Sequence, residues 1–316
     1  MPLKTRFLTL LTGGTLLVTA AACGSGAAET SPAAVKPGEK AKVVAAFYPL
    51  QWLTEQIAGS AVSVETLTAP GVEPHDLELT PQQVADVGGA TLTAYVKGLQ
   101  PAVDEAVEQN AGDKGFDAAA AVQTLPATEA EAADGGAEAH EHEHEVAYDP
   151  HLWLDPSRFA GVATKLGERL AAIDPAHAQA YKDRAAKTVA ALTALDQEYA
   201  KGLGTCSTRS IVTAHAAFGY LADRYKLKQV GITMDPEAEP SPARIAEVSK
   251  VAKAENVTTI FTEALVSPKV AEVLANEVGA KTAVLDPMES RPSGGDYLSA
   301  MRQNLSTLRT ALGCTA

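Results

Sequence analysis

Short apolar runs alternate with amphipathic stretches in two parts of the chain, residues 43–155 and 204–316. The apolar runs predict buried strands, and stretches with apolar residues at every third or fourth position predict helices. Strands are predicted at 43–47, 62–67, 91–96, 210–213, 229–231, 258–262 and 282–285. Helices are predicted at 50–58, 81–88, 103–109, 216–225, 243–254, 269–278 and 297–312. This alternation predicts an α/β fold with a mostly parallel sheet in each part, flanked by helices.

Residues 156–203 differ from both parts because they are rich in Ala and contain few strand signals. They predict two helices, at 156–173 and 175–201. The second helix would be about 40 Å long at 1.5 Å per residue, and its apolar residues form a stripe along one face. The sequence therefore predicts an N-terminal lobe over 43–155, a helical segment over 156–203 that contains a linking helix, and a C-terminal lobe over 204–316.

Residues 1–22 are typical of a secretory leader, with a basic start, a short apolar stretch and small residues at the end. Cys23 follows in an arrangement similar to the bacterial lipobox, in which the cysteine is acylated. The alternative is an ordinary cleaved leader with an incidental cysteine. Residues 23–42 are rich in Ala, Gly, Ser and Pro and predict a flexible tether. We therefore expect an extracytoplasmic lipoprotein on the outer face of the cell membrane.

Acidic residues outnumber basic residues by 39 to 26, which gives a net charge of −13. A chain of this charge repels phosphate backbones, so nucleic acid is excluded as a partner and cations are favoured. The remaining cysteines, Cys206 and Cys314, predict a disulfide in an extracytoplasmic protein. Metal binding by this pair is the alternative, but two isolated cysteines without CxxC spacing form a poor zinc site.

Residues 129–145 form a low-complexity segment with seven acidic residues, three histidines and no basic residue. Such a segment forms no core, and the plainest interpretation is a solvated loop. The alternation of His140, His142 and His144 with glutamates also offers nitrogen and oxygen ligands. We therefore expect weak, auxiliary capture of a divalent metal here.

Four residues far apart in the sequence share a setting beside strand ends and helix starts: His75, His151, His215 and Asp286. Ligand residues of open α/β folds lie at the carboxyl ends of strands, so these side chains can meet in a cleft between the lobes. Singly, each has a plainer explanation as a surface, capping or turn residue. Together, three imidazoles and one carboxylate form a tetrahedral set suited to Zn²⁺. Glu263 ends another predicted strand and either ligates the metal or orients a ligand histidine.

Three motifs resemble the ligand motifs of bacterial zinc-uptake binding proteins, which are metal-specific solute-binding proteins of ABC importers. They are EPHD at 73–76, DPHLWLD at 149–155 and AHAAFGY at 214–220. The resemblance extends over about residues 43–314. It implies two α/β lobes joined by one rigid helix, metal between the lobes, and an ABC transporter permease as partner. It also implies that His75, His151 and His215 are the imidazole ligands and that Asp286 occupies the carboxylate position.

The expected function is extracytoplasmic zinc binding and delivery by a monomer. Manganese-binding relatives have Glu where His215 stands, and a third nitrogen favours Zn²⁺ over Mn²⁺. The alternatives are a manganese-binding homologue, a metal-dependent adhesin and, less favoured, a secreted zinc hydrolase. The sequence contains neither HExxH nor GxSxG, and four protein ligands leave no open position for chemistry, so we expect no enzyme.

Overall fold

The computed structural model describes residues 40–127 and 148–315. The predicted leader, the predicted acylation site Cys23 and nearly all of the predicted tether therefore lie outside the described residues. The same holds for the segment 129–145 with His140, His142 and His144. Where the structure describes the chain, no helix is both long enough and apolar enough to cross a bilayer.

The first half contains a parallel sheet with the strand order β2-β1-β3-β4 in its described residues. The strands are β1 (Ala41–Ala45), β2 (Val62–Thr66), β3 (Leu92–Tyr95) and β4 (Gly115–Asp117). The helices are α1 (Tyr48–Ala58), α2 (Pro81–Gly89) and α3 (Pro101–Ala106), and a π-helical turn (Val107–Ala111) continues α3. Strand β4 is not predicted by the sequence because its three residues are too few to show a period.

The second half repeats this arrangement with the strand order β6-β5-β7-β8, again with all pairs parallel among the described residues. The strands are β5 (Ser210–His215), β6 (Lys228–Thr233), β7 (Thr259–Thr262) and β8 (Lys281–Val284). The predicted α/β fold with two parallel sheets is confirmed. His215 is the last residue of β5, whereas the sequence placed it just after the strand.

Two long helices lie between the halves, α4 (Pro156–Ile173) and α5 (Ala178–Gly202). The helix α4 begins where the carboxylate of Asp155 accepts hydrogen bonds from the backbone N–H groups of Ser157 and Arg158. A Cβ atom at Gly167 would lie 2.6 Å from the Cβ of Ala185, so glycine permits the close packing of α4 on α5. The helix α5 also packs on α1 in the first half and on the C-terminal helix of the second.

The remaining helices flank the second sheet. They are α6 (Gly219–Tyr225), α7 (Pro242–Ala254), α8 (Lys269–Val278) and α9 (Tyr297–Ala311). One large apolar cluster of buried residues extends from β1 through α4 and α5 to α9. A smaller cluster fills the space between the second sheet and α7 and α8. The shared larger core holds the two sheets at a defined separation, which is the condition for a site between them.

Cys206 and Cys314 are joined in a disulfide, as the sequence predicts. The bond ties the C-terminal segment to the chain just before β5. Around it, Ser207 donates a backbone hydrogen bond to Leu312 at 3.0 Å, and Thr315 donates one to Thr205 at 2.9 Å. The disulfide therefore lies within a small region of paired backbone.

Replacing both cysteines with serine is expected to lower the free energy of unfolding. The bond closes a loop with a sequence separation of 108 residues, and the chain-entropy model gives up to about 4.7 kcal/mol for a loop of this size. Urea unfolding of the double variant and the wild type measures the difference. Free thiols at both positions in the exported wild-type protein, or an unchanged unfolding free energy, would contradict the expectation.

Candidate metal centre

Three histidines predicted from the sequence meet between the two halves. His75 lies in the loop that follows β2, His151 lies just before a short helical turn (Leu152–Leu154), and His215 ends β5. The side chains of His151 and His215 are buried, whereas that of His75 is 15% exposed. The cluster therefore lies inside the protein and approaches solvent on the side of His75.

The ring nitrogens of these histidines converge on one small volume. The Nε2 atom of His151 lies 3.4 Å from Nε2 of His75 and 3.4 Å from Nε2 of His215. The Oε1 atom of Glu289 lies 3.3 Å from Nε2 of His75. It lies 3.5 Å from Nε2 of His151 and 3.6 Å from Nε2 of His215. All four atoms lie within 4.8 Å of one another.

The carboxylate within this cluster belongs to Glu289, whereas the sequence pointed to Asp286. Asp286 forms the turn after β8, where its Oδ1 accepts a hydrogen bond from the backbone N–H of Met288 at 2.8 Å. Asn304 fixes the backbone on both sides of Asp286, with bonds of 3.0 Å and 2.6 Å. Met288 has a φ of 65°, a left-handed conformation within this turn. The Asp286 carboxylate thus accepts a hydrogen bond within the turn, whereas the Glu289 carboxylate lies beside the three histidines.

Glu263 holds His215, one of the two roles predicted for it. Both of its carboxylate oxygens lie 2.8 Å from Nδ1 of His215, and Oε1 also accepts the backbone N–H of His215 at 3.0 Å. Asp149 does the same for His151: its Oδ1 lies 2.7 Å from Nδ1 and accepts the backbone N–H at 2.9 Å. In the neutral imidazole, a carboxylate on Nδ1 fixes the proton there and leaves the lone pair of Nε2 directed into the cluster.

Hydrogen bonds between the halves fix the loops that supply these residues. The indole N–H of Trp153 donates to the carbonyl oxygen of Pro287 at 2.7 Å. This bond joins the segment of His151 to the segment of Glu289. The hydroxyl of Tyr220 donates to the carbonyl oxygen of Asp149 at 2.7 Å. The four-atom cluster is therefore preorganised by contacts that cross between the halves.

Charge is concentrated in the cluster. Burial disfavours the protonated form of His215, but the charge of Glu263 and the hydrogen bonds of Glu263 and Glu289 outweigh it and raise the pKa of His215 to about 10. Burial likewise opposes protonation of His151, yet Asp149 and Glu289 raise its pKa. Burial would raise the pKa of Glu289, but its hydrogen bonds to the three imidazoles hold that pKa well below the usual value. The site is thus built to hold positive charge beside Glu289.

A fifth ionisable side chain, Glu73, lies at the solvent side of the cluster. Burial, followed by the charge of Glu289, raises the pKa of Glu73 to about 8, against the effect of the backbone N–H groups of His75 and Asp76. Burial also raises the pKa of Asp286.

His177, which the sequence left out of the site, is half exposed, and its Nδ1 lies 2.7 Å from Oδ2 of Asp174. The described histidines outside the cluster are thus limited to His177.

The fold and the cluster agree with what the comparisons with known proteins show. Residues 43–311 match the family described as "ZnuA: Zinc-uptake complex component A periplasmic". The match covers most of the chain, and the chain belongs to this family.

Individual relatives are similar over much of the chain. It is 36% identical over 282 residues to the zinc-binding lipoprotein AdcA of Streptococcus pneumoniae, an alignment that covers 85% of this chain and 55% of the relative. It is 34% identical over 303 residues to the high-affinity zinc uptake system protein ZnuA of Bacillus subtilis, covering 92% and 93%. This chain therefore spans about half the length of AdcA and nearly the whole length of the Bacillus protein.

A solved structure supports the fold assignment. The Zn(II)-bound ZnuA-like domain of Streptococcus pneumoniae AdcA superposes with a TM-score of 0.72 at 33% identity. The superposition covers 87% of this chain and 99% of that domain. The two-lobed architecture is therefore shared with a domain whose structure was solved with zinc bound.

Proposed function

We propose that this chain binds one Zn²⁺ outside the cytoplasm and delivers it to the permease of an ABC importer. The observation that carries the proposal is the separation of the four candidate ligand atoms. Zinc bonds of about 2.0–2.1 Å place tetrahedral ligand atoms about 3.3–3.4 Å apart. The five measured separations in the cluster run from 3.3 to 3.6 Å. The ligands proposed are His75, His151, His215 and Glu289.

The donor set supports zinc over manganese as the cargo. Three imidazole nitrogens and one carboxylate suit a borderline metal, whereas Mn²⁺ prefers more oxygen ligands. The names of the AdcA and ZnuA relatives agree with this choice. A competition titration with Zn²⁺ and Mn²⁺, with elemental analysis of the bound ion, tests the proposal. One tightly bound zinc per chain is expected, and a preference for manganese would overturn it.

The same ligand count supports transport and argues against catalysis. The family is named as a component of a zinc-uptake complex. A catalytic zinc site keeps three protein ligands and an open position for water, whereas this cluster offers four protein atoms. We therefore propose that the chain has no enzymatic activity. Assay of the zinc-loaded protein for peptide and ester hydrolysis tests this, and turnover that requires the cluster would contradict it.

The proposed location and partners follow from delivery to a membrane complex. Acylation at Cys23 would attach a monomer to the outer face of the membrane near its permease, and a diacyl anchor is sufficient for stable attachment. The lipoprotein name of the pneumococcal relative agrees with such an anchor. The mass of the N-terminal peptide of the membrane-bound protein tests it, and an unmodified cysteine would contradict it.

Deleting residues 129–145 is expected to leave the tight zinc site intact and to remove only weaker binding. The reason is that all four proposed ligands lie outside the segment, whereas His140, His142 and His144 belong to a low-complexity sequence from which we expect only weak metal capture. Isothermal titration with zinc compares the deletion variant with the wild type. Loss of the stoichiometric site on deletion would show that the ligand assignment is wrong.

Zinc affinity is expected to fall as the pH falls through the neutral range. The pKa of His215 is raised to about 10 and that of His151 is also raised. The imidazole of His215 is therefore protonated at neutral pH, and zinc must displace that proton. Each displaced proton lowers the affinity about tenfold per pH unit below its pKa, whereas a carboxylate site responds only below about pH 5.

Titration calorimetry in buffers of different ionisation enthalpy measures the protons released on binding. Release of one or more protons per zinc at about pH 7.5 is expected from the raised pKa values. Binding without proton release, together with an affinity that does not change between about pH 7.5 and pH 6, would contradict the expectation.

A further inference from the structure

Glu73 is a buried carboxylate beside the cluster that the four-ligand site does not use. Its Oε2 accepts the backbone N–H of His75 at 2.9 Å. Its Oε1 lies 3.9 Å from Nε2 of His75. That oxygen is buried and accepts no hydrogen bond within the described part of the chain. A buried polar oxygen without a partner is unfavourable, and a ligand that reaches this oxygen would remove that cost.

The Glu73 side chain is partly exposed at the edge of the cluster, although its Oε1 atom is buried. The side chains of His75 and Glu73 are 15% and 11% exposed. Those of His151, Glu289 and His215 are 6%, 1% and 0% exposed. His75 and Glu73 are therefore the most exposed of these five side chains.

Glu73 is nevertheless outside the four-atom set, whose members lie within 4.8 Å of one another. Its loop is fixed against the loop of Glu289 by the hydrogen bond from the backbone N–H of Gly71 to Oγ of Ser290, at 2.7 Å. The loop thus holds the free Oε1 close to one ligand of the cluster without adding it to the final tetrahedron.

We propose that Glu73 is a transient zinc ligand, whose Oε1 binds the ion while it passes between solvent and the cluster of His75, His151, His215 and Glu289. This inference rests on the proposed function of the site. The Oε1 atom replaces one water on the ion before all three imidazoles are engaged, and it holds the ion as the imidazoles release it. Because it stabilises the intermediate of both directions, it accelerates binding and release together and leaves the affinity nearly unchanged.

The variant Glu73→Gln tests this role. Glutamine retains an oxygen that can accept the N–H of His75, but it cannot offer zinc an ionised carboxylate. The matched control is Asp76→Asn, which removes one charge from an exposed side chain on the other side of His75. Stopped-flow mixing measures association with free Zn²⁺, and transfer to an excess of a fluorescent chelator measures release.

Glu73→Gln is expected to slow both association and release about tenfold, with the dissociation constant changed by less than about threefold. Asp76→Asn is expected to leave release unchanged. Faster release from Glu73→Gln, together with a larger dissociation constant, would show that Glu73 is a permanent ligand and would overturn the inference. Equal effects of the two substitutions would show a role of charge alone and would also overturn it.

The proposed function and this inference fail in different ways. A wild-type protein that binds no zinc overturns the function, whereas wild-type binding with unchanged rates in Glu73→Gln overturns only the role of Glu73. If Glu73→Gln does not fold, Glu73→Asp keeps the charge and withdraws it from the cluster by one methylene. The same slowing of both rates is then expected, and unchanged rates overturn the role.

Discussion

Replacing His215 with alanine is expected to abolish tight zinc binding. Zinc held by four protein ligands is bound with about 10–16 kcal/mol, so the loss of one ligand costs roughly 3 kcal/mol, or about 100- to 1000-fold in affinity. The substitution also leaves Glu263 buried without its imidazole partner. His215 is fully buried, so water cannot easily take the place of the ring. The effect is therefore expected to exceed that of any change outside the cluster.

The matched control is His177→Ala. His177 is half exposed and contacts Asp174, so its loss removes an imidazole without touching the cluster. Competition with a chelator of known affinity measures zinc binding in both variants, and thermal unfolding of the zinc-free proteins verifies that they fold. If His215→Ala does not fold, His215→Gln keeps a donor to Glu263. Wild-type affinity in a folded His215 variant would remove His215 from the ligand set.

Glu289→Gln is expected to weaken zinc binding by about 10- to 100-fold, because a charge-assisted contact is worth about 1.5–3 kcal/mol. The oxygen of glutamine can still approach the ion, but the charge that balances the cation is lost. Asp286→Asn is the control, since asparagine can still accept the N–H of Met288 that defines the turn. It is expected to leave the affinity unchanged.

Zinc titrations of the two variants distinguish the ligand that we propose, Glu289, from the one expected from the sequence, Asp286. Both side chains lie in the loop after β8 and are three residues apart. A loss of affinity in Asp286→Asn with none in Glu289→Gln would restore Asp286 as the ligand.

The two-sheet architecture could be predicted because its signals are local. The strands β1 and β5 are short and mostly apolar, and the helix α4 has a clear start at Pro156. The helix α5 could be predicted from its long amphipathic stripe, which packs on α1 and α9. In contrast, β4 has only three residues, and it depends on pairing with β3 rather than on any pattern of its own.

The three histidines could be predicted because each lies near a strand end or a helix start. Their convergence is then a consequence of parallel topology. The carboxylate could not be assigned in the same way. Asp286 and Glu289 occupy one loop, and the choice between them depends on the turn at Met288 and on the bonds of Asn304 to the backbone at 286. No periodic pattern specifies such contacts.

Only some of the residues that contact the cluster histidines could be predicted from the sequence. The prediction that Glu263 contacts a histidine followed from its place at the end of β7, and the structure places it on His215. Asp149 and Glu73 each lie two residues before a cluster histidine, but the same spacing is common in turns. Their roles become visible only when burial and distances are known, because Asp149 contacts Nδ1 of His151 and Glu73 keeps a free oxygen.

The most direct test is a crystal structure of the zinc-loaded protein with anomalous scattering recorded above and below the zinc absorption edge. One strong peak is expected at about 2.0–2.2 Å from Nε2 of His75, His151 and His215 and from a carboxylate oxygen of Glu289. A peak bound by Asp286 in place of Glu289, or the absence of any peak among the three imidazoles, would contradict the account.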